Sequence, residues 1–164
     1  MNALSNYLIT GAAILLSLSG CATADLSDEY FETAARQLDY GDYSSAYLLE
    51  KAWDAYKKKD YAKILGYTTK CVDIHGDEGK RMNSTLSAFE PEVSAGELWA
   101  LNDVGTCLYI MANTYEELQR YPDAVRTYRQ LATDYTYAQC WDTKGWFWRP
   151  AEGAARKAEK MKNW

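Results

Sequence analysis

From Leu101 to Tyr135 the apolar residues recur at helical spacing twice, with one tight break between the runs. Leu101, Val104, Leu108, Met111, Ala112, Tyr115 and Leu118 form one stripe, and Ala124, Val125, Tyr128, Leu131, Ala132 and Tyr135 form the next. The segment Gln119-Arg120-Tyr121-Pro122 separates them, with Pro122 in a first helical turn where its missing N–H costs nothing. The pattern predicts an antiparallel helical hairpin.

The remainder of the chain reads the same way. Ser27 followed by Asp28 and Glu29 opens a first helix, with Tyr30, Phe31, Ala34, Ala35 and Leu38 on its apolar face and Gly41 as the stop. A second carries Ala46, Leu49, Ala52, Trp53 and Tyr56 and gives out at Lys57 to Asp60; a third runs from Tyr61 through Ile64, Thr68 and Cys71 to His75-Gly76. Gly76 to Ser94 then reads as a loop, with or without a short helix around Lys80 to Phe89. Ser94 with Glu97 forms a capping-box signature that starts the long helix. Thr136 to Arg149 is irregular, and Pro150 begins a last helix with Ala154, Ala155, Ala158 and Met161 on one side. No stretch alternates with period two for long, so the fold expected is all-α.

The first 20 residues contain no charged side chain, and Leu8 to Leu18 is an apolar run too short to span a bilayer. It reads as a secretory signal. Leu18-Ser19-Gly20-Cys21 at its end resembles a bacterial lipobox, which implies acylation of Cys21 and a mature chain starting there; the segment before it departs from that pattern in having no Lys or Arg. The organisation expected is a lipoprotein signal over 1–20, a short tether over 21–27 and one helical domain over 28–164. Ala22 after the cysteine implies sorting to the outer membrane in a Gram-negative host, with acyl chains as the membrane contact.

The chain carries a net charge of −5, a poor surface for nucleic acid. Cys71, Cys107 and Cys140 remain after lipidation; one pair could bridge, or all three could pack as buried thiols. Their spacing, with His75 the one histidine, lacks the clustered pairs of a metal site, and no cofactor is expected. His75 falls at an expected helix C-terminus, where an imidazolium is favourable.

Two segments are versions of one another. Ala52 through Tyr56, Tyr61 and Ile64 parallels Ala112, Tyr115, Tyr121, Ala124 and Tyr128, and Gly41 to Ala46 is a fainter copy containing Tyr43. This resembles the tetratricopeptide repeat over roughly residues 41 to 135. The resemblance implies helical hairpins stacked as a short solenoid, with Ala46, Ala52, Ala112 and Ala124 letting helices approach and Tyr43, Tyr61 and Tyr121 plugging the turns. Ile64 and Cys71 stand where the repeat has alanines, and the Gly76 to Ser94 loop interrupts the array. A short array needs its end covered, and Trp141, Trp146, Phe147 and Trp148 with the last helix are the expected aromatic cap. The tail from Tyr137 to Trp148 is similar to that of small bacterial tetratricopeptide proteins, some labelled beta-glucanase precursor.

No catalytic constellation stands out. The architecture implies a scaffold for a protein partner in the cell envelope, acting without enzymatic chemistry. Carbohydrate or peptidoglycan binding through Trp141, Trp146 and Trp148 is the alternative, conditional on their exposure; otherwise they belong to the core. Glycoside hydrolysis would require a carboxylate pair across a cleft, and nothing singles one out among Glu97, Asp103, Glu116, Glu117 and Asp142.

Overall fold

The Ser27 hydroxyl accepts from the Tyr30 amide at 3.2 Å and starts helix α1, Asp28–Ala35. In a computed structural model that describes residues 27–142 and 144–163, six further helices follow. They are α2 (Ser45–Lys58), α3 (Tyr61–Ser84), α4 (Glu92–Ala95), α5 (Trp99–Glu117), α6 (Tyr121–Asp134) and α7 (Pro150–Lys160). The expected signal segment and the acylation at Cys21 fall on residues outside those described. No helix among the described residues is long and apolar enough to cross a membrane.

The chain is mostly helical, with one exception. Cys140–Asp142 (β1) and Trp146–Trp148 (β2) pair antiparallel, with Cys140 opposite Trp148, Trp141 opposite Phe147 and Asp142 opposite Trp146. Strands of three residues are too short for period-two alternation to show, which is why the sequence reads as irregular there and the fold as all-α.

Helices α3 and α5 form the central pair. Helix α2 packs on both, α6 packs on α5, and α7 covers α6 and part of α5. Leu48, Ile64, Leu101, Leu108, Tyr128 and Tyr135 are fully buried between them. Ala52, Ala112 and Ala124 have no exposed surface, consistent with close helix approach at those points. Tyr61 and Tyr121 are half-buried at the two hairpin turns, and the Tyr61 hydroxyl donates to Glu117 Oε2 at 3.0 Å.

Several expectations need correction. Helix α3 does not stop at Gly76 but continues to Ser84. Gly76 and Gly79 are there for space: a Cβ on Gly79 would lie 3.0 Å from Tyr135 Cε1 and 3.1 Å from the Ala100 carbonyl oxygen. His75 is consequently in the middle of a helix rather than at its end, with Nε2 at 2.8 Å from the Tyr43 carbonyl.

Ser94 and Glu97 make no capping box. The Ser94 hydroxyl bonds to Glu90 Oε2 at 2.9 Å within the short α4, and the long helix starts at Trp99. On α2 the buried face is Ser45, Leu48, Ala52 and Ala55, offset from the stripe expected. That turn leaves Ala46 exposed, so it mediates no helix approach, and moves Trp53 to the edge of the interface. Tyr43, at φ +61° and 51% exposed, plugs no turn. Tyr40 fills that place, half-buried with its hydroxyl donating to the Ala35 carbonyl at 2.8 Å and its ring edge-on to Tyr67.

Candidate functional site

The approach to the β-hairpin is tied to α5 by the side-chain amide of Asn102. Asn102, buried in the first turn of α5, accepts from the Gln139 N–H through Oδ1 at 2.8 Å and donates through Nδ2 to the Ala95 carbonyl at 2.7 Å. A single side chain thus fixes both the entry to β1 and the end of α4. Below it Cys140 points inward, with Sγ 2.6 Å from Thr106 Oγ1 and 3.4 Å from the Asn102 carbonyl. At the turn, Asp142 Oδ1 accepts from the Lys144 amide and the Asp142 carbonyl from the Gly145 amide. Gly145 sits at φ +92°, where a side chain would be strained.

Pinned this way, the hairpin lays Trp148 against α5 and leaves Trp141 and Trp146 open to solvent. Trp141 is 59% and Trp146 49% exposed, and Trp148 is half-buried with its ring edge-on to Tyr109 at 5.0 Å. The expected aromatic cap is therefore not a core: two of its tryptophans face solvent. Trp141 and Phe147, opposite one another across the strands, meet edge to face at 5.1 Å.

Two adjoining cavities lie between this hairpin and the helices. The outer one, of about 630 Å³, has Trp53 and Tyr109 on one side and Trp141, Trp146 and Trp148 on the other, with Glu50, Asp54 and Asp142 at its margin. The inner one, of about 320 Å³, shares Trp53, Trp141 and Trp148 and adds Trp99, Asp103 and Gln139. Every tryptophan among the described residues lines this cleft. Trp53 and Trp99 escaped the sequence reading as site residues because nothing local marks them; they join the hairpin only through the packing of α2 on α5.

Polar groups in the cleft are mostly acceptors. Burial raises the Asp103 carboxyl above the usual aspartate range, and the Ser45 hydroxyl, donating at 2.6 Å, and the nearby His75 partly offset this. Lys57 is the cation at the outer margin, 3.5 Å from Asp54. Gln139, 4% exposed, donates through Nε2 to the Glu90 carbonyl at 3.0 Å, while its Oε1 is buried with no hydrogen-bond partner.

The other carboxylates considered from the sequence lie elsewhere. Glu116 accepts from Lys157 at 2.7 Å and lies 2.9 Å from the Tyr128 hydroxyl. Burial alone would raise its pKa, but these bonds hold it below the usual glutamate range. Glu117 receives the Tyr61 hydroxyl and Lys59, and Glu97 is exposed. Cys71, Cys107 and Cys140 are all free and buried. Burial pushes the Cys140 thiol up to about 12 and also raises Cys107, which hydrogen-bonds Cys71, so neither offers a thiolate at neutral pH. No group of His, Cys, Asp or Glu suited to hold a metal ion occurs among the described residues.

Fold and site together define a helical protein with an aromatic, acid-margined cleft. Comparison with protein-family models, with curated proteins and with solved structures finds no match for the chain.

Proposed function

We propose that the chain is a lipid-anchored, tetratricopeptide-like binding module of the cell envelope, which holds a segment of a partner protein in the tryptophan-lined cleft and performs no catalysis. The observation that carries this reading is the convergence of Trp53, Trp99, Trp141, Trp146 and Trp148 on one cleft, with Trp141 and Trp146 open to solvent. Large aromatics exposed together are costly in water and mark sites where a partner covers them.

The packing order supports the repeat-like arrangement. Helix α2 packs on α3 and α5, α5 packs on α6, and α7 packs on α6 and α5, a nearest-neighbour order of the kind that stacked hairpins produce. The engagement of Asp103, Glu116 and Glu117 by internal donors supports a non-catalytic role, since a hydrolytic pair must meet substrate and water. Acylation at Cys21 would place the module on a membrane, the outer one in a Gram-negative cell.

Carbohydrate or peptidoglycan binding is the second reading, favoured by the exposure of Trp141 and Trp146, whose faces could stack on sugar rings. The test is affinity capture from detergent-solubilised envelope with the mature chain as bait, alongside Trp141→Ala and Trp146→Ala baits and intact-mass measurement of Cys21. A stoichiometric protein lost from both variants supports the scaffold. Glycan fragments lost in the same way would replace it with the second reading. Retention of every captured species by both variants would remove the cleft from the account.

A further inference from the structure

We infer that the segment bound in this cleft is cationic: a Lys- or Arg-bearing stretch of the partner protein, its charged group seated against the indole faces. The inference rests on the binding-module reading and adds the chemistry of the ligand.

Charge is the first reason. Glu50, Asp54 and Asp142 line the outer cavity and Asp103 the inner one, against a single cation, Lys57, already beside Asp54. Arg149, the nearest basic residue along the chain after β2, is taken up elsewhere, with its guanidinium 3.9 Å above the Phe89 ring. The margin of the cleft therefore carries an excess of negative charge, which favours a cationic ligand and makes the attraction sensitive to salt.

Hydrogen-bond polarity is the second. Gln139 is anchored by its amide N–H to Glu90, which leaves the oxygen as its free end. Together with the carboxylates this makes a recess rich in acceptors, whose donors are the indole N–H groups, the Tyr109 hydroxyl, and Asn102, Thr106 and Lys57, which are already engaged. Lysine and arginine are donor-only groups. A neutral sugar presents hydroxyls that must both give and receive, and it would leave the charges at the margin unanswered.

The rings supply the third. Cations bind over aromatic faces, tryptophan best, and arginine adds planar stacking. This protein already uses such contacts internally, with Lys51 over Tyr47 and Arg120 over Tyr115.

The experiment titrates the mature chain, followed by tryptophan fluorescence and calorimetry, with three probes: an amidated pentapeptide alternating glycine with arginine, its glutamate counterpart, and chitotetraose. The arginine peptide should bind and weaken with added salt, and the glutamate peptide should not bind. Trp141→Ala should reduce affinity about tenfold, the scale of one partly desolvated cation–π contact. Glu50→Gln and Asp142→Asn, which keep side-chain shape, should each reduce it about threefold. Chitotetraose binding that Trp141→Ala abolishes, with no arginine-peptide binding, overturns the cationic ligand and leaves the cleft as a site. Failure of all three probes, with no Trp141-dependent capture from envelope, overturns both readings. Self-association that removes peptide binding and is itself lost in Trp141→Ala would assign the cleft to a second copy instead.

Discussion

The Tyr135 hydroxyl donates to the main-chain carbonyl of Gly76 at 3.0 Å, tying the end of α6 to the middle of α3 across a gap that only a glycine-lined helix leaves open. The ring is fully buried, and the carbonyl it reaches is on a helix face with no Cβ to block it.

Gly79→Ala tests that contact from the helix side. Alanine should raise helix propensity by about 1 kcal/mol, yet its methyl would press on Tyr135 and on the α5 backbone at Ala100, neither of which is the loose end of a flexible chain. Overpacking of this kind costs about 1–3 kcal/mol, so net destabilisation is expected. Urea unfolding at unchanged m-value measures it; a more stable variant would show that the interface has slack.

Asn102→Ala should cost about 1–3 kcal/mol, chiefly by leaving the Gln139 amide without its buried acceptor, since the Ala95 carbonyl keeps the Leu98 amide at 3.3 Å. The effect should reach the hairpin as well as the global stability. Faster amide exchange at 139–142 and 146–148 than in α3, under conditions where the fold is intact, is the measurement.

Two acids should show opposite pH behaviour. Glu116 has its pKa lowered in the folded state, so its contribution is present above its ordinary value of 4.5 and is lost as pH falls through the folded value. Glu116→Gln should destabilise at neutral pH by less than about 1 kcal/mol, because the side chain is more than a third exposed and screened. The deficit should fade below 4.5.

Asp103 is raised, so the native chain loses stability as pH climbs from the ordinary value of 3.8 through the folded one. Asp103→Asn, which can still accept from Ser45, should match or exceed the native protein at neutral pH and lose any advantage below 3.8. Melting temperatures across a pH series decide both cases.

The thiols give a chemical check. Cys71, Cys107 and Cys140 should resist a thiol reagent in the folded protein and all react once it is unfolded in denaturant. Labelling of any of the three at native stability would contradict their burial.

These residues also explain what could be read from the chain alone. Ser27 and Pro122 mark helix starts because their effect is local: a hydroxyl for an open amide, a ring where no N–H is needed. Gly76 misleads because a glycine required by a neighbour distant in sequence looks the same as one that ends a helix. Ser94 misleads because its hydroxyl can be claimed by Glu90 as readily as by a helix amide. The tryptophans of the tail stand out in the sequence, but their exposure depends on Asn102 and Cys140 anchoring the strands. Trp53 joins them only because α2 buries Leu48, Ala52 and Ala55 rather than the expected stripe through Ala46, Leu49 and Trp53.

The walls of the cleft come from opposite ends of the domain, Trp53 on α2 and Trp141 to Trp148 on the hairpin before the last helix. A chain emerging from its N-terminus would carry one wall long before the other. On the proposed binding-module reading, recognition would then be deferred until synthesis and folding are nearly complete, and a fragment ending before β1 would lack one wall of the cleft.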